Sequence, residues 1–245
     1  MKSSLILVLL MPFAAMAQDA APAYVTRPGV PTPVQDKVNE SLEAQRIARA
    51  FTLIREGQSQ RAIDGPLLQI ISDYQAAYGN SPKRIYCASS IAETMHYLLD
   101  ASASHVNAIA LGANWSSAYY LTGFAYVNLG QFDKAAANLK RAVELSPSNA
   151  HFLSELGNLY ESEKHWPEAM DMFRQAQTAS QFMPDQNGRN REACRALRGQ
   201  GYALVELHRL DEAVQAYQAC LKIVPGDQKS YQELGYVMTL KGRQP

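Results

Sequence analysis

A row of short antiparallel helices, an all-α fold, is what this chain of 245 residues predicts, on three observations. After Val34, Ala, Leu, Gln, Glu and Arg dominate, and apolar residues return at spacings of three and four. Leu42, Ile47, Phe51 and Ile54 form one such series; Leu139, Ala142 and Val143 form another. That is the period of helices with one buried stripe. Breaks interrupt the pattern at roughly 12- to 18-residue intervals: Gly57-Gln58, Gly79-Asn80-Ser81-Pro82, Gly130-Gln131, Ser146-Pro147-Ser148 and Pro225-Gly226-Asp227. The third observation is a register: Gly123 and Gly157 are 34 residues apart, as are Gly201 and Gly235.

Composition narrows the function classes. Lys and Arg number 23, Asp and Glu 23, so the formal charge is zero. A nucleic-acid partner calls for a basic footprint, and none is expected here. Hydrophobic residues make up 47 %, enough for a folded chain. Three cysteines are too few for a small disulfide scaffold.

The first element is an address. Met1-Lys2-Ser3-Ser4 carries one positive charge, and an apolar stretch runs from Leu5 to Ala15. Ala15-Met16-Ala17 then gives small-x-small before Gln18-Asp19. Residues 1–17 read as a secretory signal peptide, cleaved after Ala17. The apolar run is too short for a bilayer core of roughly 30 Å, and no later stretch is a transmembrane candidate. The mature chain is expected in a bacterial periplasm or secreted. Residues 18–34 follow as a flexible lead, since Pro22, Pro28, Pro31 and Pro33 forbid a regular helix.

The repeat is the next element. Twelve residues after Gly123, Gly157 and Gly201 stand Ala135, Ala169 and Ala213. Seven further on stand Ala142, Ala176 and Cys220, all small. Small residues let two antiparallel helices approach closely. Tyr126, Leu139, Tyr160, Phe173 and Tyr217 are expected to fill the space between hairpins. Asp133 and Asp211 suit the positive end of a second helix, and Pro167 its first turn. Pro147 and Pro225 close two units. One hairpin cannot bury its apolar faces alone, so the units must stack.

This pattern resembles the tetratricopeptide repeat family. The resemblance implies a right-handed superhelical solenoid of helix–turn–helix units. Three units match well, at 116–149, 150–183 and 194–227, and 228–245 reads as a terminal cap helix. Residues 35–115 are expected to hold degenerate hairpins. In 82–115 Ser89, Ala101 and Ala108 take the small positions and Ala113 replaces the closing Pro. Earlier, Ala50, Gly57 and Ala62 echo Gly123, Gly130 and Ala135. Between Gly157 and Gly201 the spacing is 44 rather than 34. Ten extra residues therefore lie near Pro184–Arg189, either as a bulging loop or as longer helices.

An oxidising compartment permits disulfides. Cys194 precedes Gly201 by seven residues and Cys220 follows Ala213 by seven. In a hairpin crossing at Gly201 and Ala213, two helical turns keep both on the facing side. A Cys194–Cys220 bond is therefore expected, with Cys87 left as a buried free thiol. No Cys or His pair has metal-ligand spacing. Phosphate loops, nucleophile elbows and dinucleotide glycines are missing too. His96, His105, His151, His165 and His208 are scattered. No catalytic residue, metal or cofactor is expected, and the chain does not read as an enzyme.

In the family the first helix of each unit lines a concave groove. Carried onto this sequence, the groove stripe comprises Ser117, Tyr120, Phe124 and Val127, then His151, Ser154, Asn158 and Glu161, then Arg195, Arg198, Tyr202 and Val205, and finally Lys229, Gln232 and Tyr236. Tyr120, Phe124, Tyr202 and Tyr236 would offer flat apolar area, Asn158 a backbone contact, and Arg195, Arg198 and Lys229 a hold on a carboxylate. The implied function is an exported adaptor or scaffold binding a peptide or protein segment. An accessory subunit of an envelope enzyme and a self-assembling repeat module are the alternatives. Charge is uneven along the array: residues 150–183 carry a net of −3 and residues 228–245 a net of +2.

Overall fold

The computed structural model describes residues 38–242, so the expected signal peptide and proline-bearing lead lie outside the described residues. Within them the chain is a superhelical array of helical hairpins. The first is α1 (Glu40–Arg55) against α2 (Ser59–Ala62) and α3 (Leu68–Tyr78). Three regular hairpins follow further on: α5 (Asn114–Asn128) with α6 (Phe132–Leu145), α7 (Ala150–Ser162) with α8 (Trp166–Ala179), and α9 (Gln186–Glu206) with α10 (Leu210–Ile223). The helix α11 (Gln228–Lys241) ends the array.

Each hairpin turn has the same cause. Seven residues after the crossing position the chain enters the left-handed region, at Gly57 (φ 76°), Gly130 (φ 69°), Lys164 (φ 63°) and His208 (φ 59°). That residue and the next fold their N–H groups back onto the helix just ended. Gly130 N donates to Val127 O and Gln131 N to Tyr126 O, at 3.0 and 2.9 Å; His208 N and Arg209 N repeat this onto Val205 O and Leu204 O. The last carbonyls are thus satisfied and the helix stops. New helices start on side-chain caps: Asn149 accepts from Phe152 N, Asp185 from Gly188 N, and Asp227 from Ser230 N.

The crossings are as tight as the small residues permit. A Cβ on Gly123 would stand 2.8 Å from Leu139 Cγ, one on Gly157 2.8 Å from Phe173, and one on Gly201 2.6 Å from Tyr217. Ala135, Ala142, Ala169, Ala176 and Ala213 are fully buried opposite. Phe173 also reaches Gly199, so one ring sits between glycines of successive repeats. The extra residues between units extend α9 to 21 residues, against 15 for α5 and 13 for α7. Cys194 and Cys220 are bonded across α9 and α10, with Cα atoms 4.4 Å apart.

Residues 82–115 correct the expectation of a degenerate helical hairpin. They form β1 (Arg84–Ala88), α4 (Ile91–Ala103) and β2 (Ala108–Gly112), with the two strands paired in parallel. Ile85 and Cys87 alternate inward along β1. Two five-residue, largely apolar runs are short for helices, and a parallel pair needs a crossover such as α4. Ser90 caps α4 by accepting from Glu93 N at 3.1 Å, while the Glu93 carboxylate accepts from Ser89 N at 2.7 Å. This reciprocal cap fixes where the strand gives way to helix. Cys87 is buried and free, and burial pushes its thiol up to about 12.

The strand–helix–strand unit leaves the stacking of hairpins intact. The first hairpin packs directly on α5. Tyr74 donates to Glu40 Oε1 at 2.6 Å, Asn114 Nδ2 donates to Glu40 Oε2 at 2.7 Å, and Tyr74 stacks on Trp115 at 5.5 Å. The unit lies along the turns between repeats. Ser146 Oγ donates to Cys87 O at 2.6 Å, Ser148 N donates to the Tyr97 hydroxyl at 3.0 Å, and Ser90 Oγ donates to Phe182 O at 3.1 Å. His96 stacks on Phe182 at 4.5 Å.

Candidate binding groove

The first helices α5, α7, α9 and α11 follow one register, set by the crossing glycines. The residue after each glycine is Phe124, Asn158, Tyr202 or Tyr236. Phe124 is half-buried, Asn158 is exposed, and Tyr202 and Tyr236 are 43 and 56 % exposed. These four positions form one row across the array, and its last three side chains are open to a ligand.

Nearer the N-terminal ends of the same helices the expectation is corrected. Tyr120 is buried, stacked on Phe152 at 4.9 Å, with its hydroxyl 3.0 Å from His151 Nε2. It packs between repeats because the neighbouring helix brings an aromatic and an imidazole against it. Arg195 and Arg198 do not stand free for a ligand carboxylate. Arg195 pairs with Glu155 and reaches His151 Nδ1 at 2.7 Å; Arg198 pairs with Asp227 at 2.7 Å. Glu192 lies 3.8 Å from the His151 ring, and His151 and the arginines hold its carboxyl below the usual range against the opposing cost of burial. The network ties α5, α7 and α9 together. Lys229 is half-buried, and burial together with nearby Arg198 lowers its pKa.

Three carboxylates gather near Tyr202 on this face. Glu161 on α7, Glu206 on α9 and Glu233 on α11 share this part of the face with Tyr202 and Tyr236. Burial, reinforced by Glu206, pushes the Glu161 carboxyl up to about 9. Burial also raises Glu233 and Tyr202, the latter with help from Glu206, Glu161 and Glu233. Glu161 Oε1 is shielded from solvent and has no hydrogen-bond partner, and the same holds for the Tyr217 hydroxyl.

Two stretches match models of known families: residues 123–163 match the TPR repeat, and residues 187–228 the tetratricopeptide repeat. The chain carries tetratricopeptide repeats. Among solved structures, this repeat protein is similar to pilF of Pseudomonas aeruginosa, with a TM-score of 0.56 and 13 % identity over 82 % of this chain and 69 % of that one. It is similar to MamA, with a TM-score of 0.52 and 17 % identity over 79 and 84 %. At these identities the likeness is one of fold. A curated relative, anaphase-promoting complex subunit 3 of Schizosaccharomyces pombe, is 30 % identical over 69 residues, which is 28 % of this chain. The repeat protein spans 10 % of that relative's length.

Sequence reasoning missed the carboxylates that answer the arginines, Glu155, Glu192 and Asp227, and the two acids that join Glu161. Helical spacing holds part of the signal. Glu206 lies four residues after Tyr202, and Glu233 four after Lys229. Residues so spaced share a helix face. Which of them lacks a cation depends on contacts between repeats, which the spacing does not encode. Among the described residues no helix is long and apolar enough to cross a membrane.

Proposed function

We propose that this repeat protein is an exported protein-interaction module, an adaptor or scaffold of the bacterial envelope, that holds an extended peptide or protein segment along the face of its first helices. One observation carries the reading: Asn158, Tyr202 and Tyr236 stand exposed in one row, at the same register in successive repeats. Large aromatics left in water beside an amide supply flat contact area and polar tips at low entropic cost. The repeat spacing makes this a ladder suited to an extended chain. The module works by binding, without catalysis.

The test places a photo-crosslinking amino acid at position 202, 236 or 215 and exposes the full chain to periplasmic extract. Gln215 is exposed on α10, a second helix. Shared adducts at 202 and 236 that are absent at 215 are expected; equal adducts at all three would sink the groove reading. Export is checked separately by N-terminal sequencing of the periplasmic protein, which should begin at Gln18.

A further inference from the structure

The acidic part of the groove face holds carboxylates that no cation of the described residues answers. Among the described residues, Glu161, Glu206 and Glu233 make no ion pair within 4.0 Å of a Lys, Arg or His nitrogen, whereas Glu155 and Asp227 on the same face are paired. The independent observation is Tyr217. It is 1 % exposed, yet its hydroxyl has no hydrogen-bond partner. Its ring crosses at Gly201, with Cζ 2.6 Å from where a Cβ would stand. The ring tip thus lies against α9, and its hydroxyl is in the field of Glu233 on α11, Glu161 on α7 and Tyr202 on α9. The opposing charge that acts on it is Arg198, already held by Asp227. A buried hydroxyl without a partner is costly, and a ligand that supplies a donor removes the cost.

The occupant must donate hydrogen bonds and carry positive charge. A metal ion is a poor fit. Among the described residues the three carboxylates are not drawn to within 4.8 Å of one another; the group that is consists of Cys194, Cys220 and Asp227, and its thiols are joined in a disulfide. A side-chain cation spans a wider set of acceptors, with three donors on an ammonium and five on a guanidinium. Its aliphatic stem also needs apolar cover, which exposed Tyr202 and Tyr236 provide beside the acids.

We propose that the groove recognises a basic side chain, arginine or lysine, of the segment it holds: Glu161, Glu206, Glu233 and Tyr217 receive the head group, and Tyr202 and Tyr236 flank the stem. The proposal rests on the groove reading and specifies its ligand. A bound cation at this place also gives Glu161 a reason to ionise, so its arrival releases a proton.

The probe is a capped peptide of alternating alanine and arginine, with a counterpart in which citrulline replaces arginine. Both are titrated by fluorescence anisotropy against the full chain at physiological ionic strength, where screening sets in beyond about 8 Å. The arginine peptide should bind about tenfold tighter, the scale of one charge-assisted hydrogen bond. Glu161→Gln, Glu206→Gln and Glu233→Gln together should abolish that preference. The same number of acid-to-amide changes on second helices, Glu168→Gln, Asp171→Asn and Glu212→Gln, should leave it intact. The proposal is overturned if the arginine peptide fails to bind, if the groove variant keeps the preference, or if both variants lose it. If both peptides bind equally and Tyr202→Ala with Tyr236→Ala releases both, the basic-residue reading fails while the groove stands. If that pair releases neither, the groove reading falls as well.

Discussion

Phe173 shows how little slack a residue in these repeats has. Its ring is fully buried between Gly157 of its own hairpin and Gly199 of the next. Ala is normally the better helix former, by about 1 kcal/mol. Here Gly199→Ala should instead destabilise by about 1–3 kcal/mol, because the added methyl would meet the ring; urea unfolding reads the sign directly. Glu161 gives a second prediction at this scale. Its folded carboxyl titrates at about 9, above its ordinary value of 4.5. Between those values the folded chain binds a proton that the unfolded chain does not. Its contribution to stability is therefore fully present below about pH 4.5 and is lost as pH rises through 9. Glu161→Gln should flatten that decline across the window, seen as melting temperatures of the two proteins that diverge with pH. The crossing glycines were readable from the sequence because sterics alone demand them. The partners of Arg195 and Arg198 were not, because Glu155 and Asp227 come from other helices.

Each hairpin repeats one turn, and the sequence varies the residue that makes it. At Gly57 and Gly130 no heavy atom lies within 4 Å of a notional Cβ, so only the left-handed backbone requires glycine. Lys164 and His208 adopt the same backbone with a side chain. His208→Gly should stabilise by about 1 kcal/mol, and Gly130→Ala should cost about as much, both measured as shifts in the urea midpoint. The disulfide acts at this scale too. It joins residues 26 apart, and reduction should cost about 3 kcal/mol. Hydrogen exchange should rise first in α9 and α10 on adding dithiothreitol. The hairpin that carries it was legible because both helices obey the repeat. The strands were not: a five-residue, largely apolar run has no period that separates strand from buried helix. Only the pairing of Ile85 with Ile109 across α4 decides the matter.

At the scale of the whole molecule, stacked hairpins touch only their neighbours, so such arrays flex by small changes at each interface. The strand–helix–strand unit breaks that rule. Through Cys87, Tyr97 and Ser90 it grips the α6–α7 turn and then Phe182 between α8 and α9. It works as a splint along one edge, and bending the α5–α9 stretch means tearing those bonds. Tyr97→Ala should release it, with faster amide exchange at residues 146–150 and 180–184 and little change in α10. A splinted arm meets its ligand with the curvature already chosen. On the groove reading proposed above, the distance from Asn158 to Tyr202, both within the splinted stretch, acts as a ruler rather than a spring, and partners would be sorted by whether their side chains fall on its marks.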